Sequence, residues 1–536
     1  VTRPVVLILS GAYIDQELAA ELGVLPPALA PVGMGRLYDL QVESLAALDP
    51  ELFLTLPQAL RLSAWDEARL VQAGVTVLPS PEGLSLGGAL LFALATLGFE
   101  DQPIRILHGD TLIRGLDLDA LDVVSVAGGA DGYWWATVRE TEGQVDKISA
   151  PDPGRTGGEG RRLSGYFAFS SAKLLAQSLA LARGDFLGAL NVYNGLAPLR
   201  TLSGGEWLDF GHVQTFFRSR RVVSTARGFN RLVLDEVSAR KRSDKPDKLR
   251  AEARWLAEAP SAIRPFCARL IEEGEDAQGY FYATDYEYLP TLAELHVFGR
   301  LNRASWTAIL ASCGDFLAAA AATPPPEPRP SALRILAIDK TRSRLSTFAA
   351  ATGFDLDAPL TLNGRPAPSL QAILAEVEAI VARCAPRPAL MHGDFCFSNI
   401  LYNSRMRRIR LIDPRGAVVD GQPSLWGDSL YDGAKLMHSL TGRYDLIIAG
   451  RCRGPARLGP ELALAFDLDP EQAWREAAAG EMGLGGLDLG SPEIAALVIG
   501  LFLSMPPLHA DRPDRQTAML ANAVRLYLDL QAGAVR

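Results

Sequence analysis

Ala389-Leu-Met-His-Gly-Asp-Phe-Cys-Phe-Ser-Asn-Ile-Leu-Tyr402, followed closely by Arg410-Leu-Ile-Asp-Pro-Arg-Gly416, sets three oxygen-bearing side chains at spacings that suit phosphoryl transfer. Asp394 stands two residues after His392 and five before Asn399. This is the H-x-D-x-x-x-x-N order in which an aspartate acts as base and an asparagine as magnesium ligand. Residues 399–402 and 409–413 are short β-type runs around the polar stretch 403–408, so a hairpin is expected. Asn399 opens its first strand and Asp413 closes its second, and antiparallel pairing brings those ends together. Asp394 leads into the same place. Magnesium takes hard oxygen ligands and keeps positions for water and substrate phosphates, so Asn399 and Asp413 are a workable protein share. Single Asp and Asn residues in loops commonly cap turns; the ordered trio distinguishes this stretch from such turns.

On HGDFCFSN and IDPRG, the chain resembles the aminoglycoside phosphotransferase and choline kinase family of small-molecule kinases. The resemblance implies a bilobal protein-kinase-like fold, with Asp394 activating a substrate hydroxyl and Asn399 and Asp413 holding magnesium. Many relatives carry an aromatic directly after the second aspartate, whereas this chain has Asp-Pro-Arg-Gly. Two roles are open for Arg415: a surface salt bridge, or a contact to a phosphate or an acidic substrate.

A kinase also needs a lysine for the nucleotide phosphates and a helical glutamate to position it. Val237, Ala239 and Lys241 alternate on one face of an expected strand, and Asp244-Lys-Pro reads as a helix start. On that helix Leu249, Glu252, Ala253 and Leu256 share a face. A carboxylate among leucines needs a cation, and Lys241 is the candidate, with Lys245 and Lys248 as nearby alternatives. Residues 281–290 read as a strand leading to the inter-lobe hinge, where the resemblance implies that backbone groups hold adenine.

With 536 residues and 48% apolar content, the chain is long enough for two or three domains with sizeable cores. A formal net charge of −9 without a basic run argues against nucleic acid or an anionic membrane as the main partner. The five cysteines lack metal-type spacing, which suits a reducing cytoplasm. Residues 5–10 are too few for a signal core, and residues 494–505 fall short of a membrane span and read as a core helix.

The first 225 residues alternate strand and helix signals, as an α/β domain with a largely parallel sheet would. Strands are expected at 5–9, 52–55, 75–78, 104–107 and 122–126, and helices at 38–48 and 86–97. Ile104-Arg-Ile-Leu-His-Gly-Asp110 is an apolar strand ending in Gly-Asp, which sets Asp110 at the carboxyl edge of the sheet, where ligands bind in open α/β folds. Trp207-Leu-Asp-Phe-Gly-His212 adds Asp209, and the two carboxylates together can hold magnesium.

Ser10-Gly11, Leu25-Pro-Pro-Ala-Leu-Ala-Pro-Val-Gly33, Gly109-Asp110 and Trp207-Leu-Asp-Phe-Gly211 resemble the nucleotidyltransferases that make nucleotide-activated sugars and alcohols. The resemblance implies a Rossmann-like fold over residues 1–225, nucleotide binding at Ser10 and Gly11, and magnesium at Asp110 and Asp209. The family's glycine-rich loop is replaced here by Gly11-Ala-Tyr-Ile-Asp-Gln-Glu, and Pro27 stands where a lysine is expected. Arg36 and Lys147 are candidate substitutes for the missing cations. Residues 81–88 are a candidate base-contacting loop, or a plain turn.

The expected organisation is therefore residues 1–225, nucleotidyltransferase-like, and 226–536, a small-molecule kinase, with the join near 222–228. The proline-rich residues 323–330 read as a surface loop inside the kinase, and 361–386 and 460–530 as mostly helical large lobe. Asp428 and Asp432 match a segment that braces the catalytic loop. Together the two resemblances imply a bifunctional enzyme using ATP and a second nucleoside triphosphate: it phosphorylates a sugar or amino alcohol and couples the product to a nucleotide for surface polysaccharide or headgroup synthesis. The alternative is a kinase regulated by an inactive nucleotide- or sugar-binding N-terminal domain. No Ala-Pro-Glu segment follows Asp413, which disfavours a protein substrate.

Overall fold

The structure is a computed structural model that describes residues 3–98, 101–128, 133–151, 161–223, 230–243, 245–327, 332–419, 422–454 and 458–533. It divides into two compact units, Val1–Val223 and Ser224–Arg536. Most of the join expected at 222–228, the helix start at Asp244 and the end of the proline-rich run at 328–330 lie outside the described residues.

In the N-terminal unit Val5–Leu9 is apolar at every position because both of its faces are buried. Val5, Leu7 and Leu9 pack into one core, while Val6 and Ile8 pack into the other. Around it Val75–Ser80, Glu51–Pro57, Val5–Leu9 and Ile104–His108 run parallel in that order. Arg161–Phe169 then adds antiparallel beside Ile104–His108, and the sheet continues through Val123–Ala127, Arg200–Leu202, Gln144–Ser149 and Thr137–Thr141. Among the described residues the sheet has nine strands. The expected helices are Leu37–Leu45, extended by a 3-10 turn over Ala46–Leu48, and Leu86–Leu97, which is capped by Ser85. The parallel half is the Rossmann-like part, and it sets the ends of Val5–Leu9 and Ile104–His108 side by side, with the Gly109 N–H donating to the Leu9 carbonyl at 2.7 Å.

The C-terminal unit has the two lobes of a kinase-like fold. The small lobe is an antiparallel sheet in the order Asn230–Leu234, Ser238–Ser243, Gly279–Asp285, Leu270–Asp276. The helix Pro246–Glu258 buries Leu249, Glu252, Ala253, Trp255 and Leu256. The large lobe contains the helices Arg303–Ala321, Lys340–Thr352, Leu370–Val381, Ser429–Ser439, Pro470–Glu481, Pro492–Leu503 and Pro513–Gln531. Arg303–Ala321 is long and apolar enough to cross a membrane by length and composition alone. Here Trp306, Ile309, Leu310, Cys313, Phe316 and Leu317 bury one side of it within the lobe. Pro492–Leu503 is the expected core helix, with every residue from Ala496 to Leu503 buried.

One helical expectation needs correction, while 460–530 is mostly helical as expected. Within 361–386, Leu360–Leu362 and Arg365–Ala367 form a hairpin, and helix begins only at Leu370. The Asn363-Gly364 turn, at φ 50° and 77°, has the positive-φ pair of a type I′ hairpin. Within 460–530, Glu461–Leu462 adds a parallel strand to that hairpin.

Candidate active sites in the two units

The catalytic-loop hairpin forms over Ile400–Asn403 and Arg408–Leu411, one position off the expected strands at its first outer end and two at its last. Asn399 closes a 3-10 turn just before it, and the Ile412 N–H donates to the Asn399 carbonyl at 3.1 Å. Asn399 and Asp413 are thus brought to the same end of the hairpin. The Asn399 Nδ2 donates to the Asp394 carbonyl at 3.0 Å, and its Oδ1 accepts no hydrogen bond among the described residues. Asp413 has φ 57°, a left-handed conformation uncommon for a residue with a side chain, and it turns the carboxylate back to within 3.0 Å of Lys241 Nζ. Burial works against the Asp413 charge, and Lys241 outweighs it, holding the carboxyl below its usual value.

Lys241 is buried and lies 2.7 Å from Glu252, itself 1% exposed. The structure therefore brings Lys241, Glu252 and Asp413 into one charged chain. Lys248 also approaches Glu252, at 3.6 Å, and the Tyr282 hydroxyl donates to it at 3.1 Å. Tyr282 lies opposite Lys241 in the sheet register, a pairing that only the strand alignment reveals.

Asp394 is held on both oxygens. Arg415 reaches Oδ2 at 2.9 Å, and Lys435, from the helix Ser429–Ser439, reaches Oδ1 at 2.9 Å. Burial alone would raise the Asp394 carboxyl, but these two cations offset it and keep the group well below the carboxylate range. Of the two roles open for Arg415, its contact is a salt bridge, made to the candidate base itself. Lys435 carries no local sequence signal and was missed. Cys396, on the same loop, is an inert thiol: burial, then the Asp394 charge, push it up to about 12.

The loop is braced from below. Asp432 accepts the His392 and Gly393 N–H groups at 2.7 and 2.8 Å, and Asp428 accepts from Leu430 and Arg387 at 3.0 Å each. Gly393, at φ 79°, lies so close to the next loop that a Cβ there would stand 2.1 Å from the Gly416 carbonyl oxygen. His392 Nδ1 accepts the Asp394 N–H at 3.3 Å, so Nε2 carries the proton and donates to the Ile412 carbonyl at 3.1 Å. Burial pushes this imidazole down to about 4. Its folded pKa is depressed, so its neutral form contributes stability that is present above the unfolded value and is lost as pH falls from about 6.5 towards 4. The loss amounts to roughly 3 kcal/mol at 1.36 kcal/mol per pKa unit. Urea unfolding followed by tryptophan fluorescence at pH 7 and pH 4.5 is expected to show this, with a smaller difference for His392→Asn; equal differences would remove His392 as the cause.

In the N-terminal unit, Thr111–Arg114 pairs antiparallel with Glu206–Asp209, Thr111 opposite Asp209. That ribbon brings Asp110 and Asp209 together. A Cβ on Gly211 would lie 2.6 Å from Asp110 Oδ2 and 3.4 Å from Asp209 Oδ1, so both carboxylates flank one point. They line a cavity of about 400 Å³ together with Ser85, Gly87, His108 and Trp207. The candidate base-contacting loop thus reaches this cavity through Ser85, Leu86 and Gly87. Nε2 of His108 and Nε1 of Trp207 are buried there without a hydrogen-bond partner among the described residues.

Ser10 and Gly11 are not among the lining residues. The Ser10 hydroxyl accepts the Ala28 N–H at 3.0 Å, and a Cβ on Gly11 would strike Ser80 at 2.6 Å. Arg36 does not replace the missing triphosphate cations: its guanidinium is buried against both Asp66 oxygens, at 3.0 and 2.9 Å, and the Leu29 carbonyl at 2.7 Å. Lys147 is exposed on Gln144–Ser149 and does not line the cavity. Among the described residues no group of three or more His, Cys, Asp or Glu side chains is arranged as metal ligands. Magnesium does not require one, since one or two protein oxygens suffice beside nucleotide phosphates.

Residues 217–478 match the model of the phosphotransferase enzyme family. The match covers just under half of the chain. No curated protein matches the chain. Among solved structures, an aminoglycoside 2′-phosphotransferase-IIIa in its GDP complex is 14% identical, covering 58% of this chain and 92% of its own, with a TM-score of 0.34. A putative glucose-1-phosphate thymidylyltransferase from Bacillus anthracis is 14% identical, covering 42% of this chain and 96% of its own, with a TM-score of 0.34. HddC from Yersinia pseudotuberculosis is 17% identical, covering 41% and 99%, with a TM-score of 0.33. The part matching the phosphotransferase family spans both lobes and includes Lys241, Glu252, Asp394, Asn399 and Asp413.

Proposed function

We propose that the chain is a bifunctional enzyme whose phosphotransferase unit moves the γ-phosphoryl group of ATP to a hydroxyl of a small metabolite and whose N-terminal unit couples the resulting phosphomonoester to a nucleotide. The observation that carries the first step is the grip on Asp394 beside the Lys241–Glu252–Asp413 chain. A carboxylate kept this acidic is a weak base. It suits a loose transition state, in which Asp394 orients the acceptor hydroxyl and receives its proton as the new P–O bond forms. Asn399 Oδ1 and the Asp413 carboxylate are the groups that would hold magnesium, which would supply positive charge to neutralise the nucleotide phosphates. Lys241 contacts the nucleotide phosphates, and Glu252 fixes its position.

For the second step, Asp110 and Asp209 beside the cavity would hold magnesium, and the aromatic and small residues of the wall would hold nucleotide and phosphomonoester. The product class is an activated sugar or alcohol of the kind used in surface polysaccharides or headgroups. Both steps draw on nucleoside triphosphates, which suits a cytoplasmic enzyme, and the free cysteines suit a reducing compartment. The test incubates the full chain with ATP and a panel of hydroxylated metabolites, then adds CTP, UTP, GTP or dTTP. ADP release followed by pyrophosphate release supports the reading, and pyrophosphate release that needs no prior ADP formation contradicts the order.

A second reading is favoured by one set of observations: Ser10 and Arg36 are engaged within the fold, and Pro27 replaces a cation. In this reading the N-terminal unit binds a nucleotide or sugar and regulates the kinase. Nucleotide binding by calorimetry without pyrophosphate release from any acceptor would select it.

A further inference from the structure

Asp394 stands in a ring of positive charge larger than its own contacts require. Besides Arg415 and Lys435, its field acts on Lys340 and Arg344. These two lie one turn apart on the helix Lys340–Thr352, so they share a face. Both are half-buried, and neither has a carboxylate within ion-pair distance among the described residues; the Arg344 guanidinium reaches the Ser504 carbonyl at 3.4 Å. On the facing helix Tyr431 and Lys435 are likewise one turn apart. Tyr431 is 2% exposed, and its hydroxyl has no hydrogen-bond partner among the described residues, although Lys435, Asp394, Arg415 and Arg344 all act on it. Arg415 and Lys435 thus hold Asp394 directly, while Lys340, Arg344 and the Tyr431 phenol lie within reach of its field.

Like charges are held together here in partly dry surroundings. Burial first, then Lys435, Arg344 and Arg415, push the Lys340 ammonium down to about 7, against the pull of Asp394. A negative group seated among these cations would offset their mutual repulsion. The nucleotide is already provided for by Lys241 and by the Asn399–Asp413 end of the hairpin, so the surplus lies on the acceptor's side of Asp394.

We infer that the acceptor is itself an anion, a hydroxyl compound bearing a phosphate ester or a carboxylate that is seated by Lys340, Arg344 and the Tyr431 hydroxyl while its free hydroxyl meets Asp394. This rests on the kinase reading above. The reaction balances as one substitution. The acceptor oxygen bonds to the γ-phosphorus, and the bond from that phosphorus to the β,γ-bridging oxygen breaks to leave ADP. The hydroxyl proton passes to Asp394 and on to solvent. An acceptor carrying a phosphate ester leaves as a bisphosphate, so a reaction that makes phosphorylated or carboxylated hydroxyl compounds must supply it.

The test has two arms on the full chain. In the first, ADP formation is followed with matched sets of one sugar as neutral compound, phosphate ester, carboxylate and amino derivative. The expected result is a KM at least ~10-fold lower for an anionic member, and the phosphate-to-carboxylate ratio distinguishes the two anions. Lys340→Met and Arg344→Met should each raise that KM about 10-fold or more with the KM for ATP within about twofold, and Lys340→Arg should restore most of it. Equal use of neutral, cationic and anionic members, or a rise confined to the KM for ATP, overturns the inference. The second arm measures thermal unfolding with inorganic phosphate and no nucleotide. Stabilisation of the wild type that is lost in both methionine variants supports an anion site even if no acceptor turns over, which would count against the kinase reading alone. No stabilisation by phosphate, together with no preference in the first arm, sinks the inference.

Discussion

Asp394→Asn is expected to lower acceptor-dependent ADP formation by about 10²–10⁴-fold, the range over which a positioned proton acceptor contributes. The change is isosteric, and it removes the charge that Arg415 and Lys435 now clasp at 2.9 Å each. Asn399 Nδ2 donates to the Asp394 backbone carbonyl rather than to its side chain, so the loop keeps that tie. The braces from Asp432 to the His392 and Gly393 N–H groups are also untouched. Nucleotide affinity by titration should therefore stay within a few-fold of wild type while turnover collapses. Equal turnover in the variant would show that Asp394 does not take part in the chemistry; a parallel loss of nucleotide binding would show that its role is structural.

Asp209→Asn should separate the two units. Its carboxylate and that of Asp110 flank one point in the wall of a cavity of about 400 Å³. Losing one such preorganised group costs roughly 10²–10³-fold in rate where charge develops in the transition state. Pyrophosphate release from nucleoside triphosphate and phosphomonoester should fall by that factor, and ADP formation by the phosphotransferase unit should not change. Thr215 and Ser219 both hydrogen-bond to Asp209, one at the side chain and one at the backbone carbonyl, so a melting curve must accompany the assay. If both activities fall together in a variant that melts like wild type, the assignment of Asp209 to one reaction is wrong.

What could be read from the sequence was mostly local. The hairpin that unites Asn399 with Asp413 sits within one short stretch, where polar residues between two apolar runs mark the turn. Lys241 and Glu252 were legible because a carboxylate on an apolar helix face must find a cation, and the nearby strand offered one. The Asp110–Asp209 meeting was harder: it depends on pairing Thr111–Arg114 with Glu206–Asp209, nearly a hundred positions away in the chain, and only quoted motifs pointed to it. Arg36 misled because its residue type suggested a phosphate ligand, while burial against Asp66 made it a structural pair. The hairpin over 360–367 was missed although Asn363-Gly364 is a strong turn signal, because the apolar run from Leu370 dominated that window. Lys340, Arg344, Arg415 and Lys435 come from three separate elements, and no linear pattern links them. Their assembly is a property of the packed lobe.

The clasp on Asp394 also bears on what the enzyme does when no acceptor is present. ATP and water abound in any cell, and a free, poised carboxylate beside a bound γ-phosphate would activate water as readily as an alcohol. With Arg415 on one oxygen and Lys435 on the other, the resting carboxylate is already occupied, and a water molecule brings too few contacts to reorganise that arrangement. A bulkier ligand with many contacts can do so. On the kinase reading proposed above, the same two ion pairs that make Asp394 a weak base would act as a guard against futile ATP hydrolysis, tying consumption of the nucleotide to the arrival of its proper acceptor.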